Sequence, residues 1–173
     1  MNHWYMLTVV GEDRPGIVAK ITHALYEGGC NMGEASMMRL GGNFSIMLMV
    51  GSDTKRRDIE NMVEPVADSL GLHVHVDTIE GSLHKHVIPD VRISVSGADR
   101  PGIVADVTNA LAEAGLNILD LESDVVGTES SPIYIMHVEG IATEGIGSLE
   151  AVIKLFSDQG IDISIQPVDT VIG

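Results

Sequence analysis

One segment of this chain occurs twice. Gly11-Glu12-Asp13-Arg14-Pro15-Gly16-Ile17-Val18-Ala19 returns as Gly97-Ala98-Asp99-Arg100-Pro101-Gly102-Ile103-Val104-Ala105, 86 positions later. The echo runs on: Thr22, Ala24, Leu25, Glu27, Gly29 and Asn31 match Thr108, Ala110, Leu111, Glu113, Gly115 and Asn117. A period of that length is a whole small domain, not a solenoid unit. The 173 residues therefore divide into two copies of one fold, residues 1–83 and 91–173. A linker, 84–90, joins them, and Gly81, Ser82 and Pro89 punctuate the Glu80–Asp90 stretch. Domains this small are only modestly stable alone, which predicts packing against each other or against a second chain.

Within each copy the pattern predicts β-α-β-β-α-β. Tyr5, Leu7 and Val9 alternate with Trp4, Met6, Thr8 and Val10, as in a half-buried strand. Pro15 suits the first turn of a helix, along which Ile17, Val18, Ile21, Ala24 and Leu25 recur at helical spacing. Gly28-Gly29 closes that helix. Strands follow over Asn31–Leu40 and Phe44–Val50, with a hairpin turn at Gly41-Gly42-Asn43. Asp53-Thr54 is placed to cap a second helix carrying Ile59, Met62, Val63, Val66 and Leu70; Pro65 inside it suggests a kink or a short first segment. Leu72–Ile79 is the fourth strand. The second copy repeats the order with strands at Val91–Ser96, Asn117–Val126, Pro132–Gly140 and Ile161–Pro167. Its helices are expected at Pro101–Ala114 and Leu149–Asp158, and its hairpin loop, Gly127–Ser131, is longer. The fold class is α+β: two ferredoxin-like βαββαβ domains, each with one sheet face under two helices and the other open. In the second domain Arg92, Ser94, Ser96, Asp162, Ser164 and Gln166 make the open face polar. In the first, Trp4, Met6, Val10, Met47 and Met49 make it apolar, either as ordinary packing or as a partner or dimer surface.

Composition excludes several functions. The net charge is −15, distributed as −10 over residues 91–173 and −5 over 1–83. So acidic a surface repels phosphate backbones, and Lys55-Arg56-Arg57 is too short a basic cluster to offset it. No direct nucleic-acid binding is expected. Apolar runs fall far short of the roughly 20 residues of a membrane span. Met1–Tyr5 lack a secretion signal's pattern, and Cys30 is the one cysteine. A cytoplasmic protein is expected.

The repeated loop is where the chemistry concentrates. A helix beginning after it presents free backbone N–H groups and partial positive charge, which favour an anion. An α-carboxylate is the natural guest. Asp13 or Asp99 can pair with an α-ammonium or simply cap the helix; Arg14 and Arg100 can grip a carboxylate bidentately. Gly16 and Gly102 leave room for a close ligand, and Asn31 and Asn117 supply both a donor and an acceptor. Asp-x-Pro-Gly is also a good helix start with no ligand at all. Gly11-x4-Gly16 and its copy are not phosphate loops, because Ile-Val follows instead of Lys and Ser/Thr.

The run Asp-Arg-Pro-Gly-Ile-Val-Ala, a helix ending in Gly and an Asn opening the next strand together resemble the ACT domain, in two copies over nearly the whole chain. With no catalytic domain attached, the chain is similar to the tandem-ACT proteins of the glycine cleavage system transcriptional repressor type. The resemblance implies a regulatory module that binds a small amino acid or similar carboxylate at an interface between ACT domains. It also implies a homodimer that acts on a protein regulator or enzyme. The ligand-contacting residues it implies are Gly11, Asp13, Arg14, Pro15, Gly16, Ile17, Val18 and Asn31, with Gly97, Asp99, Arg100, Pro101, Gly102, Ile103, Val104 and Asn117. Met32-Gly33-Glu34 faces Ile118-Leu119-Asp120, so the two sites differ, or one is dead.

Other constellations are weaker. His73 and His75, and again His84 and His86, have spacing that suits a transition metal, but Leu72, Val74 and Val76 already account for the strand alternation with His on the solvent side. Cys30 reads as a buried structural thiol. Ser130-Ser131 with His137 is the one local hint of a nucleophile and lacks an orienting partner. No catalytic residue, cofactor or metal is expected. A ligand-free assembly module is the alternative to a sensor.

Overall fold

Burial on one side of each strand and one side of each helix builds the fold. The computed structural model describes residues 3–80 and 87–168, and the chain separates into two compact units between residues 84 and 85. The first contains β1 (His3–Glu12), α1 (Ile17–Glu27), β2 (Asn31–Leu40), β3 (Asn43–Ser52), α2 (Arg56–Leu70) and β4 (His73–Thr78). The second contains β5 (Val91–Ala98), α3 (Ile103–Glu113), β6 (Leu116–Thr128), β7 (Ser131–Ala142), α4 (Ile146–Ser157) and β8 (Ile161–Pro167). Each sheet is antiparallel, in the order β2-β3-β1-β4 and β6-β7-β5-β8. Both units are α+β, with the ferredoxin-like βαββαβ order. No helix among the described residues is long and apolar enough to cross a membrane.

The alternation read in the sequence sets the faces. Tyr5, Leu7 and Val9 are buried with Phe44, Ile46, Leu48, Val50 and Val76, beneath Ile17, Ile21 and Leu25 of α1 and Ile59, Val63 and Ala67 of α2. The second core repeats this with Val91, Ile93, Val95, Tyr134, Met136 and Val138 under Ile103, Val107, Leu111, Leu149, Val152 and Phe156. On the first unit's open face, Trp4 lies over Gly33 and Gly51, whose added Cβ atoms would stand 3.0 and 3.2 Å from its ring. Met47 and Val10 are exposed there, whereas Met49 is nearly covered. The second unit's open face is polar: Arg92 pairs with Glu139, and Ser94 Oγ stands 3.1 Å from His137 Nδ1.

Four local expectations need correction. Pro15 and Pro101 do not begin the helices; the chain first makes a turn, and α1 and α3 start two residues later. Asp53-Thr54 does not cap α2. Lys55 is the N-cap, its N–H donating to Asp58 Oδ2 at 3.0 Å, while the Thr54 carbonyl accepts the Tyr5 hydroxyl at 2.6 Å. Helix α2 continues through Pro65 as one element, so of the two alternatives the short first segment does not hold. The second hairpin loop is shorter than expected, since Thr128 pairs with Ser131 and only Glu129-Ser130 remain between the strands. In the first hairpin Gly41 and Gly42, at φ 57° and 79°, form the two-residue turn that needs positive φ at both positions.

Candidate functional site

The candidate site is the loop between the first strand and first helix of each unit. In the first unit the loop follows Gly11, which is there for packing. A Cβ on it would come within 2.6 Å of Leu72 Cδ2 and 3.3 Å of the Gly71 carbonyl. A Cβ on Gly97 would meet the Gly160 carbonyl and Ile161 at 3.4 Å, an ordinary contact, so packing does not demand glycine there. Pro15-Gly16 then occupies the middle of a turn. Gly16 has φ 86° and ψ 2°, the values of the third residue of a type II turn, where proline favours the second. Gly102, at φ 91° and ψ −10°, repeats it, and Ile103 N–H reaches the Arg100 carbonyl at 3.4 Å. The glycines are thus required by backbone conformation, and at Gly16 they also leave open space.

Past the turn, the first intrahelical bond of α1 runs from Lys20 N–H to the Gly16 carbonyl at 3.0 Å; in α3 it runs from Asp106 to Gly102 at 2.8 Å. The N–H groups at the head of each helix precede these bonds and lack intrahelical partners. Ile17 and Ile103 anchor the helices in the core, so only their backbone faces the loop, whereas Val18 and Val104 are exposed there.

The charged residues are paired differently from the capping alternative. Neither helix has a side-chain cap at its N-terminus, so Asp13 and Asp99 do not serve as caps. Asp13 instead joins Arg39 of β2 at 2.6 Å, and its N–H donates to the Gly42 carbonyl at 3.0 Å. The loop is thereby tied to the β2–β3 hairpin. Arg14 pairs with Glu12 at 2.5 Å; this hydrogen bond and charge hold the Glu12 carboxyl below its ordinary value of 4.5. In the second unit Arg100 reaches Asp106 at 3.7 Å and Gln159 Oε1 at 3.3 Å. Val125 stands where Arg39 stands in the first unit, and Ala98 where Glu12 stands. Sequence reasoning missed Arg39, Glu12 and Asp106; the Lys20/Asp106 exchange was visible in the repeat offset.

The structure does not bring Asn31 to the loop of its own unit. Glu12 pairs with Asn43, as does Leu40, while Asn31 pairs with Gly51 near the start of β1. The loop and Asn31 therefore lie at opposite ends of a ten-residue strand, about 30 Å apart at the rise of an extended chain. Asn117, paired with Ile141, lies equally far from its loop. Every residue of β2 is exposed, including Met32, Met37, Met38 and Leu40.

The remaining candidates do not assemble. Ser131 and His137 are six residues apart on β7, about 20 Å, and the His137 ring meets Ser94 instead. His73 and His75 share the open face, and His75 Nε2 stands 3.1 Å from Asp77 Oδ2; His84 and His86 lie outside the described residues. Among the described residues no three His, Cys, Asp or Glu side chains are grouped to hold a metal ion. Cys30 is buried, its Sγ 3.8 Å from Met62 Sδ. A shallow groove lies between α3 and α4, lined by Asp106, Asn109, Glu113 and Gln159.

Comparison with known proteins gives the same division. The ACT domain family matches residues 3–77 and, separately, 91–144. The glycine cleavage system transcriptional repressor of Escherichia coli is 28% identical over 80% of this chain and 73% of its own length. A UPF0237 protein of Methanococcus maripaludis is 34% identical over 44% of this chain and 86% of its own. The crystal structure of an unknown protein from Galdieria sulphuraria matches with a TM-score of 0.72 and 24% identity, covering 98% of this chain and all of that one.

Proposed function

This chain is a tandem ACT-domain protein, and we propose that it is a non-enzymatic sensor of a small amino acid that acts in the cytoplasm on a protein partner, in transcriptional regulation of amino-acid metabolism. The similarity to the Escherichia coli repressor supports the regulatory part. The net charge of −15 supports action through a protein and not by gripping DNA.

One observation carries the site: the loop and Asn31 stand at opposite ends of β2, which is an exposed edge strand. A site that uses both needs two modules. Antiparallel pairing of β2 with β2 of a second copy sets each Asn31 beside the other chain's Leu40 end, where Gly42 is bonded to Asp13. The carboxylate of the amino acid then meets the N–H groups at the head of α1, Asp13 takes its ammonium, and Asn31 of the second copy completes the shell. Binding that bridges two chains favours the paired arrangement, and the partner reads that shift in population.

Mixed chains test this. Asp13→Ala and Asn31→Ala each abolish binding alone in titrations against the twenty amino acids. Mixing the two variants restores one intact site per mixed dimer. Binding by Asn31→Ala alone at wild-type strength contradicts a site shared between copies.

A further inference from the structure

The open faces of the two sheets occupy the same place in the fold and differ in kind. In the second unit Arg92 of β5 stands opposite Glu139 of β7 and pairs with it, and Ser94 stands opposite His137. The matching positions of the first unit are Met6 opposite Met49 and Thr8 opposite Met47. On the open side of β1 from Trp4 to Val10, and of β3 from Ser45 to Gly51, no residue is charged. Met38 of β2 extends this face beside Ser45, and Val10, Met38 and Met47 are exposed on it. Charge stands at the rim, on Glu12 at the strand end and on Asp77 of β4, which His75 meets at 3.1 Å. The second unit shows that this fold keeps an open face of ion pairs and hydroxyls, so the fold does not demand methionine here. Gly33 and Gly51, under the Trp4 ring, let that ring lie against the sheet and keep the face level.

We propose that the open face of the first unit packs against the same face of a second copy, sheet on sheet. The area suffices. Four strands of this length span about 20 Å by about 30 Å, or about 600 Å² per copy, and two such faces reach the size at which specific interfaces begin, about 1,200 Å². The charge also selects this occupant. An acidic or basic partner finds nothing on β1 and β3 to pair with, while two chains of net charge −15 repel wherever their charged surfaces meet. The uncharged face is where they can close. Sheets stack about 10 Å apart with their side chains interdigitated, and unbranched methionine fills the gaps between them. This contact uses the sheet face and not the β2 edge, so it does not depend on the amino-acid reading. Where β2 pairs with β2 as well, the two open faces run together and four chains assemble.

The test is sedimentation equilibrium of the full chain. The wild-type chain is expected to have the mass of two or four copies. Met47→Glu sets an unpaired charge in both apposed faces and is expected to weaken association about a hundredfold, halving the mass. Val10→Glu does the same from β1. The emission of Trp4, the chain's one tryptophan, moves to longer wavelength in both variants as its surroundings become wet. Ser96→Glu, at the place of Val10 in the second unit, leaves mass and emission unchanged. Far-UV circular dichroism and urea unfolding verify that each variant is folded, and Val10→Glu carries the test where Met47→Glu does not fold. A wild-type chain that is a monomer at every concentration overturns the proposal, and so does an equal loss of mass in Ser96→Glu. Folded face variants that keep the mass of a wild-type dimer also overturn it, and leave the β2 pairing of the ligand site standing.

Discussion

Substituting Gly16 by alanine isolates the backbone requirement of the repeated loop. Gly16 sits at φ 86°, and nothing lies within 4 Å of the position a Cβ would take. The added methyl meets no atom, so the whole cost is conformational. A left-handed conformation costs a residue with a side chain about 1–2 kcal/mol. Alanine's smaller unfolded-state freedom returns about 0.4–1 kcal/mol. The net is a destabilisation of about 1 kcal/mol. Trp4 is the chain's one tryptophan and lies on β1, so its fluorescence follows the first unit. At a urea dependence of about 1 kcal/mol per M, the midpoint it reports falls by about 1 M. Gly102→Ala, in the second unit with its own core, leaves that midpoint in place. An unchanged midpoint for Gly16→Ala, or an equal fall for Gly102→Ala, refutes the reasoning.

Three other outcomes follow from the same structure. Gly51→Ala pushes on the Trp4 ring, 3.2 Å from the new Cβ, and is expected to shift tryptophan emission and lower first-unit stability by about 1 kcal/mol, read by urea unfolding. A double-mutant cycle of Asp13→Ala and Arg39→Ala yields a coupling of about 0.2–1 kcal/mol that shrinks in high salt, as for an exposed pair. Because Arg14 holds the Glu12 carboxyl low, its pairing favours the folded chain above pH 4.5 and fades as pH falls through the lowered value. A carboxyl NMR titration shows a midpoint below 4.5, returning to it in Arg14→Ala.

The sequence made the division, the element order and the buried faces legible because each rests on local pattern: an 86-residue repeat, alternation in Tyr5-Leu7-Val9, helical spacing in Ile17-Ile21-Leu25. Its errors came where short-range chemistry had two solutions. Pro-Gly is both a helix start and a type II turn, and the positive φ of Gly16 and Gly102 selects the turn. Asp53-Thr54 is a capping pair by type, but the Thr54 carbonyl is taken by the Tyr5 hydroxyl 49 residues away. The Asp13–Arg39 pair was illegible because only the folded β2–β3 hairpin brings position 39 to the loop. Asn31 lies far from its own loop because helix α1 carries the chain back along the strand length before β2 begins, a consequence already contained in the β-α-β order.

The measurement that bears most directly on amino-acid sensing is thermal denaturation of the full chain in the presence of each of the twenty amino acids. A small set of them should raise the melting temperature. At 100 times the dissociation constant the stabilisation is about 2.7 kcal/mol, a shift of several degrees for a protein of this size. The shift should vanish in Asp13→Ala and persist in Asp99→Ala. No shift with any of the twenty contradicts the sensor and favours a ligand-free assembly module.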